Sequence, residues 1–290
     1  MFKGTGIALI TPFNEDGSID FESLRSLIEY CSKGGVDFLV AMGTTAEAAT
    51  LTAAERAEVI EKIKEYNTAN LPVVLGIGGN NTAEIVRQLQ TTNLEGIDGI
   101  LSVSPYYNKP TQEGIYEHFK AVSLASEKPI ILYNVPSRTG SNMLAETTLA
   151  LANDFDNIVA VKEASGSMNQ AMEIIQAKPE DFVVLSGEDN LTVPMMHMGA
   201  EGVISVSAQA FPAHFKIIMN SELEEMNKAH YELYHFTNLL FKEGNPAGLK
   251  AALKALGVIS SAQVRLPLVQ ASEELQTALK QEIDWIKTQA

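Results

Sequence analysis

Eight short apolar runs recur along the chain, at residues 6–10, 36–42, 73–77, 99–103, 130–133, 158–162, 182–185 and 203–206. Each is rich in Val, Ile or Leu, the pattern of parallel strands buried on both faces. Helical stretches separate them, several with recognisable starts. Asp20 precedes an apolar stripe of Phe21, Leu24, Leu27, Ile28 and Cys31 that closes at Gly34-Gly35. Thr52 to Glu55 and Asn81 to Glu84 both have the form of a capping box or close to it. Eight strands alternating with helices predict a (β/α)8 TIM barrel, with a doubly wound open sheet as the lesser option. After the eighth run only helical signal follows, over 222–242, 246–256 and 273–287. That is too much for one closing helix. The expected organisation is a barrel over residues 1–220 and a C-terminal helical extension over 221–290.

Composition narrows the function classes. A chain of 290 residues with 46% hydrophobic residues can bury a large core, and its formal net charge is -15. That charge has the wrong sign for a nucleic-acid surface and does not favour an anionic membrane. A carboxylate ligand would have to be held by a few local cations and backbone amides. Cys31 is the single cysteine, so no intrachain disulfide forms, as suits a reducing compartment. The N-terminal apolar run stops at Pro12, too short for a signal segment, and no stretch approaches a membrane span. A cytoplasmic location is expected. Neither metal-ligand spacing nor a phosphate-binding glycine motif is present.

Polar residues cluster where the predicted strands end. Gly43-Thr44-Thr45 follows the second run, Tyr106-Tyr107 the fourth, and Ser186-Gly187 the seventh, while Tyr133 and Lys162 end the fifth and sixth. C-terminal strand ends form the face where barrel active sites assemble. Lys162 closes the apolar run Ile158-Val159-Ala160-Val161. Burial disfavours the ammonium form of a lysine, and the neutral amine attacks carbonyl carbons to give a Schiff base. A strand-end lysine can also snorkel into water. Alternation along the strand turns Glu163 away from Lys162, which leaves it a solvated or helix-facing carboxylate. Tyr133 is either a proton carrier or an aromatic with one satisfied hydrogen bond. Gly43-Thr44-Thr45 leads into a helix, where exposed N–H groups suit a carboxylate, though an ordinary turn uses the same residues. Arg138, five residues past Tyr133, offers a planar fork for a second carboxylate.

Together these segments are far more specific. Gly43-Thr44-Thr45-Ala46-Glu47, Tyr133-Asn134-Val135-Pro136-Ser137-Arg138-Thr139-Gly140, Val161-Lys162-Glu163-Ala164, Ser186-Gly187-Glu188-Asp189 and Gly202-Val203-Ile204-Ser205 occur in this order. The chain resembles, over essentially its whole length, the pyruvate-dependent dihydrodipicolinate synthase / N-acetylneuraminate lyase family. The resemblance implies a lyase that condenses pyruvate with L-aspartate-4-semialdehyde, a step toward diaminopimelate and lysine. By the same resemblance Lys162 forms the imine with pyruvate and Tyr133 transfers protons. Thr44 links it to Tyr107, which reaches in from a neighbouring subunit. Thr45 holds the pyruvate carboxylate, Gly187 and Ile204 line its pocket with backbone, and Arg138 receives the carboxylate of the semialdehyde. A homotetramer of two tight dimers is implied, with no metal or organic cofactor.

Two departures from the family pattern stand out. Ala46 replaces a usual glycine, and Asn245-Pro246-Ala247-Gly248 lacks a second proline, which is expected to affect the helical extension rather than the chemistry. Related aldolases that cleave N-acetylneuraminate or a 2-keto-3-deoxy sugar acid are the nearest rivals. Arg138 separates them, because a sugar acid needs hydroxyl-matching groups there. A non-catalytic keto-acid-binding barrel would not need the Lys, Tyr and Thr set. In this family a lysine-binding regulatory cleft corresponds to Ala49, Asn80, Glu84 and Tyr106. Ala48 replaces a frequent serine there, and Arg56 stands in place of a histidine or acidic residue. Such a cation would repel the ligand's ammonium and compete for Glu84, so feedback inhibition by lysine is expected to be weak or missing.

Overall fold

Residues 2–289 are described in a computed structural model of the chain. Eight strands are present among them: β1 (Gly4–Ala8), β2 (Phe38–Ala41), β3 (Val73–Gly76), β4 (Gly99–Val103), β5 (Ile130–Asn134), β6 (Ile158–Glu163), β7 (Val183–Ser186) and β8 (Gly202–Ser205). They close into a barrel in chain order, which excludes the open sheet. All the pairings from β3 through to β8 are parallel. Nearly every strand residue is buried, as the unbroken apolar runs required.

Strand ends differ from the sequence reading for identifiable reasons. β2 stops before Met42, whose φ of 56° is left-handed and takes the chain out of the sheet. β1 ends at Ala8, and Ile10 donates its N–H instead to the buried Gln209 side chain at 3.0 Å. β5 and β6 each run one residue further, onto Asn134 and Glu163, which pair in register. At the other end of β8, Gly202 lies against Gly4. A Cβ on Gly202 would fall 2.1 Å from the Gly4 carbonyl oxygen, so only glycine allows that approach.

The helix signals are local and accurate. Asp20 caps the helix Phe21–Gly34 by accepting from Ser23 N, and Gly35 closes it with a φ of 89°. Thr52 and Glu55 form a complete capping box on Ala53–Tyr66. Asn81 caps Thr82–Thr91 through Glu84 N. Beyond the barrel lie Leu223–Phe241, Ala247–Ala255 and Glu273–Lys287, each with an apolar buried side. No helix of the described residues is long and apolar enough to cross a membrane.

Contacts divide the described chain into two units. One holds residues 2–6 and 72–204, and so contains β3 to β7 with their helices. The other holds residues 7–71 and 205–289, and so contains β2 with the helical extension.

Candidate active site

In the first unit, Tyr133 and Lys162 are register partners on β5 and β6. Both are buried, at 8% and 5% exposure. The Lys162 Nζ stands 4.3 Å from the centroid of the Tyr133 ring. No carboxylate of the described residues lies within ion-pairing distance of it. Gly187, just past β7, leaves room for the lysine stem. A Cβ there would fall 2.6 Å from Ala164 Cβ and 3.1 Å from both Cγ and Cε of Lys162. The amine is thus fenced by packing.

Arg138 lies on the single turn Pro136–Thr139 that follows β5, and it is exposed. Glu188, half-buried after β7, feels both cations. Burial and neighbouring Asp189 raise its carboxyl above the ordinary range, while Lys162 and Arg138 pull the other way. Ile204, near the end of β8, is 1% exposed.

Of the two sequence readings of Glu163, solvated or helix-facing, the structure gives the second. It faces a helix as expected, yet it is not solvated, being 2% exposed. Its carboxylate accepts from Asn134, from Ser165 N and from Gln170 of the helix Met168–Ala177.

In the second unit, Gly43 leads not into an α-helix but into two short 3-10 turns, Thr44–Ala46 and Ala48–Thr50. Thr44 is exposed, whereas Thr45 is buried and its hydroxyl accepts from Asn245 Nδ2 at 2.8 Å. The loop's strained backbone falls on Glu47, with φ 53°, rather than on Ala46. Glu47 is pinned from both carboxylate oxygens, by Lys250 Nζ at 2.6 Å and by Arg265 N at 2.9 Å. The segment at Asn245 therefore touches the Thr45 loop directly. Sequence reasoning missed Glu47, Asn245 and Lys250. A signal existed for Lys250, a lone charge in Leu249-Lys250-Ala251-Ala252-Leu253.

The residues read as a regulatory cleft fall in both units. Asn80 Nδ2 donates to Tyr106 O at 3.0 Å, so these two meet. Glu84 is engaged within its own helix by the fork of Arg87, at 2.6 and 2.8 Å, and by Gln88. Ala49 sits in the second 3-10 turn, and Arg56 in the first turn of Ala53–Tyr66. Tyr107 has a φ of 71° and is 88% exposed in the single chain.

Comparison with known proteins places this geometry in a family. The sequence model of the dihydrodipicolinate synthetase family matches residues 1–286. The 4-hydroxy-tetrahydrodipicolinate synthase of Flavobacterium psychrophilum is 50% identical over 282 residues, spanning 96% of each chain. Dihydrodipicolinate synthase from Aquifex aeolicus superposes with a TM-score of 0.93 at 41% identity, covering 99% of this chain and 98% of its own. The chloride-inhibited enzyme of Acinetobacter baumannii, solved in complex with pyruvate, has a TM-score of 0.94 at 35% identity and 99% coverage of both chains. The chain belongs to the dihydrodipicolinate synthetase family.

Proposed function

We propose that this chain is a lyase condensing pyruvate with L-aspartate-4-semialdehyde to give 4-hydroxy-tetrahydrodipicolinate. The observation that carries this reading is Lys162, buried beside the Tyr133 ring without an ion-pair partner. Its amine, once neutral, adds to pyruvate C2, and loss of water leaves a protonated imine. That imine is itself the electron sink, so the chemistry calls for no metal or organic cofactor. Loss of a C3 proton gives the enamine, with Tyr133 carrying the proton toward Thr44 and Tyr107. Enamine C3 attacks the aldehyde, and the substrate's amine then adds to the imine carbon and displaces Lys162. One water leaves over the whole sequence.

In this reading the Thr45 amide receives the pyruvate carboxylate, and backbone at Gly187 and Ile204 lines the pocket. Arg138 meets the semialdehyde carboxylate with its fork. Tyr107 completes a partner's site in a homotetramer of two tight dimers, and its exposure in the single chain supports that role. The pairing of Glu84 with Arg87 supports weak or missing inhibition by lysine.

Borohydride added with pyruvate should fix one three-carbon unit per chain on Lys162. An adduct mapped to another lysine, or none at all, would sink the mechanism. A coupled assay with both substrates tests the overall reaction. Mixing Tyr107→Phe with Lys162→Ala subunits should regain activity in hybrids, and a complete lack of regain counts against a shared site.

A further inference from the structure

Past Tyr133 and Lys162, β5 and β6 each continue by one polar residue, the register pair Asn134 and Glu163. Side chains alternate across a strand, so these two turn to the face opposite the phenol and the amine. Both are buried, at 0% and 2% exposure. The Glu163 carboxylate accepts from Asn134 Nδ2 at 3.1 and 3.3 Å, from Ser165 N at 2.6 Å and from Gln170 Nε2 at 2.9 Å. No ion pair joins it among the described residues. Taking N–H donors on both oxygens, the carboxylate acts as an acceptor and so sets the orientation of each amide around it. Asn134 gives its nitrogen to Glu163 and to Asn142 Oδ1 at 2.8 Å, and its oxygen therefore takes the N–H of Met143 at 3.0 Å. Gln170 gives its nitrogen to Glu163 and to Met143 O at 3.2 Å, and its oxygen takes Asn142 Nδ2 at 2.7 Å.

The two ends of this network bracket residues 135–141, the loop that carries Arg138. Asn134 stands at the loop's entrance, and Asn142 and Met143 stand at its exit, tied to Asn134 by two bonds. Inside the bracket the loop holds itself by short-range bonds, such as Thr139 Oγ1 to Ser141 O at 2.7 Å, and meets the rest of the barrel where Tyr107 N donates to Thr139 O at 3.3 Å. Ser137, Arg138 and Gly140 are exposed. We propose that Glu163 is a positioning residue for the second substrate: its carboxylate orients the amides that clamp loop 135–141, and thereby sets where the Arg138 guanidinium stands. The proposal rests on the reading of Arg138 as the group that receives the semialdehyde carboxylate.

Replacing the carboxylate by an amide of the same shape frustrates the whole cluster. In Glu163→Gln the new amide nitrogen would face two donors, Asn134 Nδ2 and Gln170 Nε2. If Asn134 turned over to accept, its own nitrogen would meet the N–H of Met143. No arrangement of these amides satisfies every member, and a buried unmade bond is costly. Lys162 looks to the other face, so its packing against Tyr133 and Gly187 does not depend on these bonds.

Glu163→Gln is therefore compared with wild type in two measurements, borohydride trapping of pyruvate and steady-state kinetics with the semialdehyde. Trapping should stay within about twofold of wild type, since the imine-forming face is untouched. The KM for semialdehyde should rise about tenfold or more. An unchanged semialdehyde KM overturns the proposal, as does a loss of trapping as large as the loss in semialdehyde use. Glu163→Gln combined with Asn134→Asp restores one donor facing one acceptor, and it should recover part of the lost KM; no recovery counts against the proposal. Should the single variant not fold, the paired variant decides by its semialdehyde KM, near wild type in support and raised as in Arg138→Ala in refutation. Arg138→Ala is the control for the underlying reading. If it leaves the semialdehyde KM unchanged, that reading fails. If it raises KM and Glu163→Gln does not, only the positioning role fails.

Discussion

Lys162 and Lys250 are buried to a similar degree, at 5% and 0% exposure, and each sets its Nζ over an aromatic ring. The distances are 4.3 Å to Tyr133 and 4.1 Å to Phe13. Their surroundings differ in one respect that decides their chemistry. Lys250 meets the Glu47 carboxylate at 2.6 Å and the Gln263 carbonyl at 2.9 Å, while no carboxylate pairs with Lys162 among the described residues. Burial pushes Lys250 down and Glu47 pulls it part of the way back, leaving it at about 8. An ammonium held against an anion carries a proton on its lone pair and cannot attack a carbonyl carbon. On the proposed function, burial alone does not single out the imine-forming lysine; burial without an ion-pair partner does. Lys250 serves instead to hold a left-handed Glu47 at the base of the Thr45 loop.

The largest effect expected from this contrast is on imine formation. Lys162→Ala should abolish the borohydride adduct and cut turnover by about a thousandfold or more. Lys250→Met should leave the adduct on Lys162, read by peptide mapping. An adduct found on Lys250 would dissolve the distinction.

Next in size is Gly187→Ala. The new methyl lands on Ala164 and against the Lys162 stem, so the amine must shift. A displacement near 1 Å costs about a hundredfold in rate, which single-turnover trapping would register. Wild-type trapping rates in this variant would mean that the lysine's placement does not depend on the cleared space.

The Lys250 pair is then tested as a stability element. Either Glu47→Gln or Lys250→Met strands a buried charge and should cost about 3–5 kcal/mol in denaturant unfolding. The double substitution removes both charges and should recover most of that loss. Equal losses in single and double variants would show that packing, not charge pairing, dominates there.

A pH series sharpens the same point. The folded Lys250 value near 8 lies below the ordinary 10.5, so the native protein binds fewer protons than the unfolded chain between those values. Stability should therefore rise with pH across that window, by up to about 3 kcal/mol, and the gain should vanish in Lys250→Met. A flat difference between the two proteins from pH 8 to 10.5 would contradict the assignment.

The smallest effect is expected at the surface counterpart, Glu84 with Arg87, whose side chains are 40% and 62% exposed. Arg87→Ala should change stability by less than about 1 kcal/mol, because exposed pairs are screened by water and salt. It should, however, take the competing cation from Glu84 and increase sensitivity to added L-lysine in initial-rate measurements. Strong inhibition of the unaltered protein at low lysine would refute the expectation of weak feedback, and Arg56→His would then be uninformative.

Much of this was legible in the chain because it depends on near neighbours. Strand order follows from apolar runs, and the caps at Asp20 and Thr52 act on residues three positions away. Alternation along 158–162 sends Lys162 and Glu163 to opposite faces. What alternation does not say is what waits on each face. Glu163 finds a cluster of amides there, built from β5, β6 and the helix Met168–Ala177. The reading of Thr44–Thr45 as the start of a helix failed for a related reason, since two 3-10 turns and a strained Glu47 intervene.

The sequence by itself determined the eight strands and the helices between them, and it placed Lys162 and Tyr133 at strand ends. These rest on hydrophobic periodicity and capping, which operate within a turn or a few residues. Only the tertiary structure decided which buried lysine has a counter-ion, because Glu47 and Lys250 lie 203 residues apart. It alone decided that Asn245 reaches Thr45 and that Glu163 is enclosed by amides. Charge pairing and desolvation depend on distance in space, and no local pattern in the chain encodes that distance.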